Sequence, residues 1–114
     1  MKTAILISIF LLSLALFAHG PSSIEIAYND SFDFIYVKVN HAVPSVTAHY
    51  IKSIKLIVNG KDRAELKLAK QSAKDFEEAY FLYKPSEEDT LVEISATCNI
   101  FGSKKEKLEM KEGE

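Results

Sequence analysis

Residues 34–61 read FIYVKVNHAVPSVTAHYIKSIKLIVNGK, and the phase of this stretch decides the fold. Ile35, Val37 and Val39 share one face of an extended segment, with Phe34, Tyr36 and Lys38 on the other. That is the period-2 pattern of a half-buried strand. Downstream, His49 and Ile51 are in phase with each other, whereas Ile54, Leu56 and Val58 are out of phase with them. A β-bulge near Lys52-Ser53, which inserts one extra residue into a strand, reconciles the two sets. The stretch closes on Asn59-Gly60. Both residues tolerate the positive φ that a tight hairpin turn demands.

Working outward, alternation continues from Ile24 onward and no window sustains a helical period. The pattern predicts strands near 23–28, 33–40, 49–58, 62–68, 76–83, 90–98 and 105–111. Turn chemistry separates them at Asn29-Asp30-Ser31, Pro44-Ser45, Asn59-Gly60, Gln71 to Asp75, Pro85 to Asp89 and Gly102-Ser103. Lys67 to Ala79 has room for one helical turn and no more. Short strands at this spacing predict an all-β fold, an immunoglobulin-like antiparallel β-sandwich of about seven strands.

The chain has 114 residues, enough for one small domain. Its 14 basic and 16 acidic residues give a formal net charge of −2, so no nucleic acid and no anionic membrane surface is expected as a partner. Residues 1–18 read as a signal peptide and 19–114 as the domain. Lys2 supplies a positive start, and the apolar run Ala4 to Phe17 is 14 residues long. That is too short to span a bilayer comfortably but suits the apolar core of an export signal. Ala18 is the expected last residue removed, which predicts a periplasmic or otherwise extracytoplasmic protein without a membrane segment after cleavage. With a single Cys no intramolecular disulfide can form. An exported unpaired thiol must be buried, paired between chains or bound to metal.

No glycine-rich phosphate loop, HExxH or CxxC occurs. Glu77-Glu78, Glu87-Glu88-Asp89 and Lys104 to Lys107 read as solvated strand ends and turns. The chemistry-bearing residues that remain are His19, His41, His49 and Cys98. Extending the Val37/Val39 face by one step reaches His41, and extending Val92, Ile94 and Ala96 reaches Cys98. Each thus sits where a buried face runs out at a strand end. Imidazole and thiolate together suit iron, zinc or copper better than calcium or magnesium. His41 and His49 flank a connection containing Pro44 that can fold both toward one centre. As a mature N-terminus, His19 would chelate copper through its α-amine and ring nitrogen. The alternatives are surface or capped histidines and a small buried hydrophobe at Cys98.

Two motifs carry a family resemblance. Val43 to Lys61, VPSVTAHYIKSIKLIVNGK, resembles the HP-x4-HYI-x2-I pattern and NGK turn of the superoxide reductase (desulfoferrodoxin, neelaredoxin) iron domain. Cys98 to Gly102, CNIFG, resembles that family's CN-x-HG motif. The resemblance implies a seven-stranded immunoglobulin-like sandwich with a mononuclear iron at one end, held by four His and one Cys thiolate. It places His49 on the HYI histidine and Cys98 on the thiolate ligand. Val43 stands where the HP histidine would be, with His41 two residues upstream as its substitute. Phe101 stands where the CN-x-HG histidine would be. The family's N-terminal ligand histidine and its Glu-Lys pair have no counterpart, and His19 is the remaining candidate for that ligand. The ligand set is therefore incomplete against the family's five.

Two functions follow. One is an exported superoxide-reductase-like metal protein binding iron, or alternatively copper, and acting on a small oxygen species with a redox partner protein. The other is a non-enzymatic β-sandwich binding module, resembling the small subunit of the thiosulfate-oxidation carrier. That second reading asks for an exposed apolar edge at Ile57, Phe81 or Tyr83.

Overall fold

Strands form where the alternation falls: β1 (Ser23–Asn29), β2 (Phe34–Asn40), β3 (Ile51–Val58), β4 (Lys61–Lys67), β5 (Phe76–Leu82), β6 (Leu91–Cys98) and β7 (Ser103–Glu109). The structure, a computed structural model, describes residues 20–89 and 91–109. The expected signal peptide and His19 lie outside the described residues. Among the described residues no helix is long and apolar enough to cross a membrane.

The strands pair antiparallel in two sheets, β1-β2-β5 and β4-β3-β6-β7, which face each other as a sandwich. Ile35, Val37 and Val39 of β2 pack against Ile54, Leu56, Val92, Ile94 and Ala96 of the opposite sheet. The expected bulge is present: the β3–β6 register shifts between Ile51 and Ser53. It lets Ile51 and Ile54, three residues apart, both face inward. Asn59 and Gly60 adopt φ of 51° and 81°, as the β3–β4 turn requires.

Three expectations need correction. The helical turn allowed for Lys67 to Ala79 does not form, because the loop's amides bond elsewhere. Leu68 N donates to Lys52 O and Gln71 N to Val46 O. Ile57, Phe81 and Tyr83 are buried rather than edge-exposed. Phe81 shares the inward phase of Ala79, and Ile57 follows a second register shift, between Leu56 and Ile57 against β4. The exposed apolar side chains on β5 are instead Tyr80 and Leu82, on the opposite phase. Finally, Glu77 is not a solvated strand end. It is buried on the inner face of β5, where its carboxylate accepts from Ser72 N and Oγ and from Glu78 N.

Candidate metal centre

At the end of the sandwich opposite the Asn59-Gly60 turn, three strand ends converge. His41 directly follows β2, His49 lies two positions before β3, and Cys98 closes β6. All three are buried. Ile51 pairs with Cys98 across the sheet, which sets the β3 entrance against the cysteine. The chain between His41 and His49 crosses from one sheet to the other and ends in a tight turn. There Ser45 O accepts from both Ala48 N and His49 N. The two imidazole rings meet edge to face with centroids 4.6 Å apart, and His49 Nε2 lies 2.9 Å from Cys98 Sγ.

Surrounding amides hold these side chains. His41 Nδ1 contacts Gln71 Oε1 at 2.8 Å, and Gln71 Nε2 donates to His41 O and Ala73 O. Asn99 Oδ1 accepts from Tyr50 N, and its Nδ2 donates to Ala48 O, so one side chain clamps both neighbours of His49. Ile100 N donates to Cys98 Sγ at 3.4 Å, an N–H···S contact that draws electron density from the sulfur.

The donor set passes a simple fit test. Bonds of about 2.0–2.3 Å to a common transition metal put nitrogen and sulfur donors roughly 3–4 Å apart. One ligand atom each from His41, His49 and Cys98 lie within 4.8 Å of one another. Two imidazoles with a thiolate match iron, zinc or copper.

Val43 and Phe101 add no donor. Val43 is buried, with its amide donating to Lys74 O, and Phe101 is 65% exposed. Gly20, the first described residue, lies against the β6–β7 turn, where a Cβ on it would stand 3.1 Å from the backbone of Gly102. Sequence reasoning missed Gln71 as a site residue. Its contact spans 30 positions from a loop and leaves no periodic mark.

Residues 18–107 match the desulfoferrodoxin family model. The chain belongs to the desulfoferrodoxin family. Two solved structures share its fold. A superoxide reductase (1Fe-SOR) from Giardia intestinalis is 16% identical, with a TM-score of 0.61 over 81% of this chain and 100% of that one. A hypothetical protein from Pyrococcus horikoshii is 17% identical, with a TM-score of 0.57 over 80% of this chain and 89% of that one. No match was found among curated proteins.

Proposed function

We propose that this desulfoferrodoxin-family protein is a superoxide-reductase-like metal protein whose iron is held by His41, His49 and Cys98. The observation that carries this reading is the convergence of three buried donors from three strand ends. An iron held by these three side chains would supply the one-electron chemistry that, with two protons, converts superoxide to hydrogen peroxide, and a redox partner protein would return the electron.

The chain's own residues have distinct parts in this. The Cys98 thiolate donates charge, tempered by Ile100 N, and the two imidazoles fix geometry. Burial excludes bulk water from the donors and strengthens every electrostatic contact among them. His19 directly precedes Gly20, which abuts the turn after Cys98, and we assign it as a further ligand. Ile100 and Phe101, exposed just past Cys98, offer apolar surface for the redox partner. Export rests on Lys2 and the apolar run from Ala4 to Phe17, and it explains why a lone thiol would be kept inside a metal site.

The test is metal content and optical spectrum of anaerobically purified protein after oxidation. About one iron per chain is expected, with a thiolate-to-iron charge-transfer band that disappears in Cys98→Ser. His19→Ala lowers the affinity without removing that band. Protein that takes up no iron overturns the reading, and stoichiometric copper dependent on His19 replaces iron with copper.

A further inference from the structure

Gln71 is 1% exposed, and each polar atom of its amide has a partner. Nε2 donates to two carbonyl oxygens, His41 O at 2.7 Å and Ala73 O at 2.8 Å. Carbonyls only accept, so the amide cannot be flipped: its nitrogen faces the carbonyls and its oxygen faces the His41 ring. An amide oxygen also only accepts. The 2.8 Å contact with Nδ1 therefore requires the proton to sit on Nδ1. A neutral imidazole carries one N–H, which leaves the lone pair on Nε2. His49 likewise turns Nε2 toward Cys98 Sγ.

We propose that Gln71 is a positioning residue that holds His41 in its Nδ1–H form and thereby presents Nε2 as the metal-binding atom. The proposal rests on the reading that His41, His49 and Cys98 hold one ion. It names a residue of the β4–β5 loop that lies 30 positions from the histidine it orients. The loop itself is fixed on both sides. Gln71 N donates to Val46 O, Val43 N donates to Lys74 O, and His41 N donates to Asp75 O. Beneath it, the buried Glu77 carboxylate accepts from both Ser72 N and Ser72 Oγ. A tautomer chosen by so constrained an acceptor is set before any metal arrives. In a neutral histidine ring the hydrogen bond made by one nitrogen decides which of the two carries the proton, so the preference comes from the protein.

The experiment is long-range proton–nitrogen correlation on histidine-labelled, metal-free protein, paired with Co²⁺ titration of the same samples. Unsubstituted protein is expected to show His41 purely as Nδ1–H. Gln71→Met keeps the length of the side chain but has no amide oxygen. It is expected to mix the two forms and weaken Co²⁺ binding by about 10–100-fold, the usual cost of losing such a partner. Gln71→Glu keeps an acceptor for Nδ1–H and is expected to keep the tautomer, at reduced stability because an oxygen then faces two carbonyls.

An Nε2–H signal for His41 in unsubstituted protein overturns the proposal, and this readout needs no variant to fold. Unchanged tautomer and unchanged Co²⁺ affinity in Gln71→Met overturn it as well, while leaving the metal centre standing. Unsubstituted protein that fails to bind Co²⁺ overturns the metal reading and, with it, the ligand half of this proposal.

Discussion

Asn99 offers no donor atom to the metal centre, yet it decides where one donor stands. Its side chain bonds Tyr50 N and Ala48 O, and its own amide donates to Tyr50 O. His49 is thus pinned on both flanks to the residue that follows Cys98. Asn99→Ala would leave two backbone groups without these partners, and about 1–3 kcal/mol of stability should be lost. Chemical denaturation of metal-free protein measures it, and a Co²⁺ titration of the variant should show weakened binding as His49 loosens. A loss within error of zero would mean that Ser45 O and the backbone bond from Asn99 N to Tyr50 O hold the turn without the side chain. At this scale the sequence was unevenly legible. His41 and Cys98 could be located because each extends the phase of a buried face. Gln71 could not, since a loop amide reaching across 30 residues obeys no period. Glu77 was misread because a Glu-Glu pair in a strand puts one carboxylate on each face, and composition does not say which face has local donors to receive it.

Two turns give the element scale its clearest contrast. Gly60 (φ 81°) and Gly102 (φ 86°) both occupy the left-handed region, where a Cβ strains the backbone. A Cβ on Gly60 meets nothing within 4 Å, whereas one on Gly102 would stand 3.0 Å from the Cα of Gly20. Gly60→Ala is therefore expected to cost about 1 kcal/mol from strain alone, and Gly102→Ala about 2–4 kcal/mol from strain plus the clash. Denaturation midpoints of the two variants, compared with the unsubstituted chain, decide it. Equal costs would show that the Gly20 contact gives way freely. Strands β2, β3, β5 and β6 were legible because one face of each is buried, so a slip of one residue would expose a whole set of apolar side chains, whereas β4 is exposed throughout. The bulge announced itself through the phase break between Ile51 and Ile54. The β4–β5 loop did not, because the bonds that anchor it, from Leu68 N to Lys52 O and from Gln71 N to Val46 O, go to distant segments.

Across the whole molecule, tyrosine hydroxyls bond to acidic side chains. The Tyr36 hydroxyl donates to Glu78 at 2.7 Å, and this bond, with burial and the nearby negative charge, pushes its pKa from 10.0 up to about 12. Tyr28 and Tyr83 are also raised, first by burial and then by hydrogen bonds to Asp33 and Asp89. A folded pKa above the unfolded value means that these contacts stabilise fully below pH 10.0 and lose their contribution as pH climbs through the folded values. Asp89 runs the other way: the Tyr83 hydroxyl holds its carboxyl below the usual range, so its contribution is present at neutral pH and lost as pH falls through its lowered pKa. Ultraviolet titration between pH 10.0 and about 12 should therefore find fewer ionised tyrosines in the folded protein than the five that the unfolded chain presents. Coincident folded and unfolded curves would contradict these contacts. The same view of the molecule gives the cluster at its end a mechanical meaning. His41 hangs from one layer, while His49 and Cys98 are anchored on the other. Elsewhere the two layers meet mainly through packed hydrocarbon, a joint that resists separation but has little grip against sliding. An ion gripped by all three side chains would act as a rivet through both plates, so that shearing one sheet past the other must first tear a bond to nitrogen or sulfur.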